Sequence, residues 1–379
     1  MRYFNLPNNN SIIEPSDIFI STTKHTGICF SLVESLNKNK NKINQIIDEW
    51  NKYKKYTNSY EFIHTQIPNT KISISKYKPL SRSYFKMVEI INTFKLLNHY
   101  NNEIKTFHLA EGPGGFIEAI ANMRKNKNDT YVGITLIDKQ STIPNWNKCK
   151  DVMKKHENIT IEYGSDDTGD ILSAENLTYC FKKYKNSMDI ITADGGFDFS
   201  SDFNNQEKLA YNLIFAEICF AILTQKKGGI FIIKFFDIFT LASVDLLYIL
   251  SCFYTNVAIS KPCTSRTANS EKYIVCENFK FDDTSAYYNT FHNIFYWYDL
   301  KKVYIGRLLN SVIPTIYLNK IKEVNYLFGQ HQIENINTTI ELILTRYSSD
   351  KIDNLKKKNI SRCIDWCNKN EIPYNNVII

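Results

Sequence analysis

The sequence predicts an α/β protein built on a mainly parallel sheet covered by helices on both faces. Three observations carry this. Between Lys105 and Glu277, short apolar runs alternate with segments of helical spacing, the pattern of strands joined by crossover helices. The stretch Thr106–Phe116, TFHLAEGPGGF, is an apolar strand that stops at an acid and a glycine turn, then restarts as a helix. Glycines there let the backbone approach a ligand with no Cβ in the way. The stretch MDIITADGGF (188–197) repeats the plan of strand, acid and glycines.

Taken in order, residues 1–80 form an N-terminal extension. Asn8–Ser11 reads as loop, and the charge run Lys38–Lys42 as a solvated turn. Ile43–Tyr53 has Ile43, Ile46, Ile47 and Trp50 at helical spacing, and Lys71–Leu80 reads as extended. Ser81 or Ser83 can cap the next helix, whose apolar face is Met87, Ile90, Ile91, Phe94 and Leu97. The glycine turn leads into a helix over Ile117–Met123. Tyr131–Ile137 and Ile159–Tyr163 are strands, the second followed by the acidic loop GSDDTGDI. Met188–Asp194 is a strand, Gln206–Gln225 a long amphipathic helix, and Gly228–Phe236 a buried strand. Leu241–Tyr254 is helical. Val257–Lys261 and Tyr273–Glu277 are strands joined by PCTSRTANSE. Residues 281–379 lose the alternation and read as a helical appendage, with helices over Val303–Ile313, ended by Pro314, and over Ile340–Tyr347 and Ile360–Asn368. The domain reading is therefore 1–80, 81–280 and 281–379.

Composition narrows the class. At 379 residues, 43% hydrophobic and 14% aromatic, the chain can bury a sizeable core. No run of about 18 apolar residues suggests a membrane span; Leu209–Thr224 is broken by Asn212 and Glu217. No secretory leader is expected from the first residues. Nine scattered cysteines, with no Cys-x-x-Cys pair, argue against structural zinc and for free thiols in a reducing, intracellular compartment. A net charge of +7 is compatible with a polyanionic partner.

Open parallel sheets bind ligands beyond the carboxyl ends of their strands. There the first strand delivers Glu111, the fourth Asp194 and the fifth Lys234. If the last strand runs antiparallel, its start brings Glu271 to the same rim, with Lys86 on the preceding helix as a further member. Each has a plainer reading alone: Asp194 as a turn residue, Glu271 as a loop acid, Lys234 as a snorkelling edge lysine, Lys86 as an exposed helix lysine. Their convergence is what carries weight.

AEGPGGF, ADGGF, the lysine within IIKFFDIFT, KPCTSRTANSEKYIVC and SRSYFKMVEI together resemble the FtsJ-like RNA ribose 2′-O-methyltransferases. They are most similar to the eukaryotic and viral members specific for the mRNA cap. The resemblance runs from Ser81 to Glu277 and implies a Rossmann-like class I core of seven strands, mainly parallel, with the last antiparallel. It also implies a Lys-Asp-Lys-Glu tetrad on Lys86, Asp194, Lys234 and Glu271, and S-adenosylmethionine as cofactor. The methionine-side loop falls on Glu111, Gly112, Pro113, Gly114, Gly115 and Phe116, with Asp194 beside it; the adenine acid falls on Asp170. Where many methyltransferases end the second strand with a ribose-binding acid, this chain reads GITL, with Asp138 two residues on.

The chemistry this implies suits the residues. A ribose hydroxyl must lose its proton to attack, and a lysine serves as base when burial and a nearby cation lower its pKa. Lys234 is the candidate base, Asp194 its orienting partner, and Lys86 and Glu271 position the network. No metal is needed. The expected partner is the capped 5′ end of an mRNA, with Ser265, Arg266, Asn269 and Arg82 as RNA contacts and aromatic rings stacking on the cap base. No membrane partner is expected, and the implied residence is nuclear, or virion and host cytoplasm for a viral protein. The alternatives are a methyltransferase of ribosomal or transfer RNA and a non-catalytic RNA-binding subunit on the same fold.

Overall fold

The computed structural model describes residues 2–23, 27–137, 146–197, 204–345 and 349–376. The chain opens with β1 (Arg2–Asn5) and β2 (Ile18–Ser21), followed by α1 (Phe30–Asn44), α2 (Ile47–Thr57) and α3 (Ser83–Phe94). The alternating part comprises β3 (Lys105–Leu109), α4 (Gly115–Arg124), β4 (Thr130–Ile134), α5 (Lys150–Lys155), β5 (Ile159–Glu162), α6 (Ala174–Tyr184) and β6 (Met188–Ala193). It continues through α7 (Gln206–Thr224), β7 (Gln225–Phe235), α8 (Leu241–Phe253), β8 (Tyr254–Lys261) and β9 (Lys272–Phe279). The chain ends with α9 (Ser285–Trp297), β10 (Arg307–Leu309), α10 (Thr315–Leu344) and α11 (Ser349–Lys369).

The main sheet has the order β1-β8-β9-β7-β6-β3-β4-β5. Strands β7, β6, β3, β4 and β5 are mutually parallel, and β9 enters antiparallel between β7 and β8. The seven expected strands are present with the expected reversal. An eighth, β1, pairs antiparallel with β8, Tyr3 opposite Ser260, and covers an edge that would otherwise expose its backbone groups.

The sheet is buried on both faces. One face meets α7, α8 and the helices around them; Phe107, Ile191, Phe231 and Ile274 point that way. The other meets α3, α4 and α11 through Tyr131, Ile190, Ile232 and Tyr273. Helix α7 is buried on nearly every side from Ala210 to Thr224, so it is not amphipathic; it takes its cover from the sheet, α6, α8 and α9 together.

Local expectations fail at the ends of the chain, for identifiable reasons. Lys38–Lys42 is not a turn: it lies in α1, where Asn39 is buried and Lys40 reaches Asp237 at 3.1 Å. The helix expected over Ile43–Tyr53 is divided between α1 and α2. Lys71–Leu80 forms no strand beyond an isolated bridge from Ser75 to Tyr374. Neither Ser81 nor Ser83 caps α3; their hydroxyls pair with each other at 2.5 Å. Val303–Ile313 is not helical but holds β10, paired with β2, because Asp245 on α8 grips Arg307 and the Leu308 amide. Pro314 then precedes a 30-residue helix rather than ending one, as proline suits a helix start, where no amide is needed.

Candidate active site

The carboxyl ends of β3, β6 and β7 form a rim, and β9, running the other way, starts there. Four ionisable side chains from distant parts of the sequence meet at this rim. Lys86 Nζ, on α3, donates to Glu271 Oε2 at 2.7 Å and to the Tyr273 hydroxyl at 3.2 Å. The Tyr273 hydroxyl donates to Asp194 Oδ1 at 2.9 Å. Lys234 Nζ lies 3.4 Å from the same Oδ1 and donates to the backbone carbonyl of Asp194 at 2.8 Å. The order in space is therefore Glu271–Lys86–Tyr273–Asp194–Lys234, a continuous line of alternating donors and acceptors. Lys86, Asp194, Lys234 and Glu271 share one crevice, as their strand positions suggested.

Burial sets the electrostatics. It disfavours charge on Glu271, but Lys86, Lys234 and Arg82 outweigh it and hold the carboxyl well below the usual range. Burial pulls the Lys86 ammonium down, against the opposing pull of Glu271 and Asp194. Glu271 also accepts from Ser265 Oγ at 2.6 Å through its second oxygen, so both oxygens are occupied.

Beside the crevice lies the glycine turn. Gly114 has φ 103°, a conformation that a side chain would strain. A Cβ at Gly115 would fall 2.1 Å from Ser83 Oγ and 2.4 Å from Ser81 Oγ, so the turn packs directly on the start of α3. Gly112 and Pro113 are half-exposed at the rim, whereas Phe116 is fully buried and packs on the Tyr273 ring at 5.6 Å. Glu111 is buried, with Oε1 2.5 Å from His108 Nδ1, while Oε2 has no hydrogen-bond partner among the described residues. Burial, then Asp194, push its carboxyl well up. Asp170 sits near the end of β4: a Cβ on neighbouring Gly169 would reach the Thr135 carbonyl at 2.1 Å. Its Oδ2 meets Lys301 at 2.7 Å. Asp138 lies outside the described residues.

The residues expected to touch RNA form one wall next to Glu271. Arg82 donates to the Thr264 carbonyl at 3.3 Å, Arg266 is forked onto Glu61, and Asn269 is exposed. Ser265 is buried against Glu271 and faces the tetrad. This wall borders an open cavity of about 420 Å³, lined also by Arg2, Tyr60, Phe328 and His331. The loop 262–271 is held from every direction. Glu89 on α3 accepts from the Cys263 amide at 2.8 Å and from Trp366 Nε1 of α11 at 3.1 Å. Asn58 accepts from the Thr267 amide, and Gln332 of α10 donates to the Ala268 carbonyl.

Three residues at the site escaped the sequence reading. Tyr273 joins the two halves of the tetrad, Glu217 lies behind the Asp194 turn, and His108 supports Glu111. Tyr273 stands two residues after Glu271, at the start of β9, and that spacing offers a local hint.

Residues 79–279 match the family described as FtsJ-like methyltransferase. Among curated proteins, cap-specific mRNA (nucleoside-2′-O-)-methyltransferase 2 of Pongo abelii is 27% identical over 374 residues, covering 93% of this chain and 47% of the relative. Cap-specific mRNA (nucleoside-2′-O-)-methyltransferase 1 of Homo sapiens is 36% identical over 188 residues, 46% of this chain and 22% of the relative. The chain thus spans about half the length, or less, of these relatives. Among solved structures, a putative ribosomal RNA methyltransferase of Plasmodium falciparum superposes with a TM-score of 0.38 at 22% identity, over 52% of this chain and 97% of that one.

Proposed function

Because the chain belongs to the FtsJ-like methyltransferase family, we propose that it transfers a methyl group from S-adenosylmethionine to the ribose 2′-hydroxyl of a cap-proximal nucleotide of mRNA. The convergence of Lys86, Asp194, Lys234 and Glu271 in one crevice is the observation that carries this reading. The names of the relatives support the cap as substrate.

The residues fit the cofactor. Gly112 and Pro113 stand half-exposed at the rim, and the unpartnered Glu111 Oε2 is a buried acceptor beside them. Glu111 and Gly112 to Gly115 would hold its methionine end, and Asp170 its adenine. Bound there, the cofactor supplies an electrophilic methyl carbon on a sulfonium sulfur. Lys234 Nζ, fixed by the Asp194 carbonyl and carboxylate, would take the proton of the ribose hydroxyl. Lys86 stays clamped between Glu271 and Tyr273 and holds the ribose in line. The carboxylates of Asp194 and Glu271 offset the positive charge gathered at the site. The RNA runs past Ser265, Arg266, Asn269 and Arg82 into the neighbouring cleft, with Tyr60 and Phe328 as ring surfaces there.

The test is transfer of labelled methyl to short RNAs with and without a cap, read by mass-spectrometric mapping of the modified nucleotide. The expected result is a single 2′-O-methyl near the 5′ end of the capped RNA only. Equal labelling of the uncapped RNA would favour a ribosomal or transfer RNA substrate. Lys234→Ala should abolish transfer while cofactor affinity stays within about threefold, since the lysine acts on the hydroxyl and not on the cofactor.

A further inference from the structure

Glu217 interrupts the apolar run of α7 and is almost fully buried, a costly place for an acid. Its side chain leaves the helix toward the turn that follows β6. Oε1 accepts from the Gly195 amide at 3.2 Å, and Oε2 has no hydrogen-bond partner among the described residues. A Cβ at Gly195 would stand 2.3 Å from Oε1, so this position admits the carboxyl only because glycine is there.

The Gly195 amide belongs to the same peptide unit as the Asp194 carbonyl. That carbonyl is the acceptor for Lys234 Nζ at 2.8 Å. One rigid plane is thus gripped at both edges: its N–H by Glu217, its oxygen by Lys234. Without the first grip, the plane can turn about ψ of Asp194 and φ of Gly195, and at the second of these bonds glycine offers little steric resistance. Rotation would carry the carbonyl away from Lys234. A hydrogen bond at the N–H also polarises the carbonyl, which strengthens the second grip.

We propose that Glu217 is a positioning residue for methyl transfer: by fixing the plane of the Asp194–Gly195 peptide, it aims Lys234 at the reacting hydroxyl. This rests on the function proposed above. Burial, more than any neighbour, pushes the Glu217 carboxyl well up, against the opposing pull of Lys234. An amide of the same shape should replace it in the grip on Gly195.

The test compares Glu217→Gln, Glu217→Met and wild type. Gln keeps an oxygen for the Gly195 amide; Met fills the same space without an acceptor. Methyl transfer to capped RNA by the Met variant should fall about 100-fold in kcat, the scale of a small misplacement of reacting groups. KM for cofactor should change less than about threefold, and the Gln variant should recover at least about a third of the wild-type rate. Thermal melting confirms that each variant is folded. A folded Met variant with wild-type kcat overturns the proposal, and so does a Gln variant as slow as Met.

A second readout needs no RNA. Lys234 labelling by acetic anhydride, quantified by mass spectrometry, should differ between Met and wild type at least threefold more than labelling of exposed Lys154. Equal ratios overturn the proposal. A wild-type protein that methylates no RNA, yet shows this labelling difference, would instead defeat the function reading and leave the peptide grip standing.

Discussion

His108 shows how one buried ring can govern the response of the molecule to acid. It lies within β3 with no exposed surface, between Thr106 and Thr192, with Glu111 beyond it. Burial lowers its pKa from 6.5 to about 3. Between those values the unfolded chain binds a proton that the folded ring refuses, so stability is full above pH 6.5 and declines as pH falls toward 3. Glu111 works in the opposite sense: burial raises its carboxyl, so the folded state keeps a proton that the unfolded chain releases above 4.5. Replacing the histidine isolates its share. Urea denaturation between pH 7 and pH 4 should show a shallower loss of stability in His108→Asn than in wild type; identical slopes would mean the ring takes up its proton in the fold as readily as in the unfolded chain. At this scale the sequence spoke clearly only where chemistry is local. Glu111 and the glycines announce themselves within TFHLAEGPGGF, and the lysine within IIKFF stands out from its apolar neighbours. Tyr273 was silent because its partners, Lys86 and Asp194, are 187 and 79 positions away. Glu217 reads in the sequence merely as a flaw in an apolar run.

The strand-helix alternation of the central part was legible because its short strands are apolar runs set apart from the longer helical segments between them. The flanking elements were harder to read since their structure is imposed by partners far off in sequence. Asp245 makes β10 out of a stretch with helical spacing. The polar run of α1 is helical because Lys40 can end in an ion pair inside the fold. Asp237, just past β7, receives Lys40 at 3.1 Å and Lys272 at 3.4 Å, and all three are nearly inaccessible. Burial opposes charge on Asp237, but the two lysines hold its carboxyl below the usual range. Removing the acid leaves two buried ammonium groups without their counter-ion. Asp237→Ala should cost about 3 kcal/mol or more in chemical denaturation. Lys40→Met should cost much less, because an apolar chain of similar length replaces the cation and Lys272 still neutralises the acid. Equal losses would show that the triad is held by packing and not by charge.

At the scale of the whole molecule, the segments before and after the family match are part of the working unit. β1 closes the sheet edge, while α2, α10 and α11 pack around the wall that carries Ser265 and Arg266. A fragment of residues 79–279 keeps seven strands of the main sheet. It loses Asn58, Gln332 and Trp366, three of the anchors of loop 262–271. Such a fragment should be far less soluble than the full chain and, where soluble, should transfer methyl groups at least about tenfold more slowly, as expected when positioning groups loosen. Full activity of the fragment would show that the loop holds its shape unaided. The stiffness of the segment bearing Glu271 is accordingly written in part in helices outside the tetrad. Substitutions on the inward sides of α10 and α11 would act as a distant damper on turnover, one that leaves every reacting group in place.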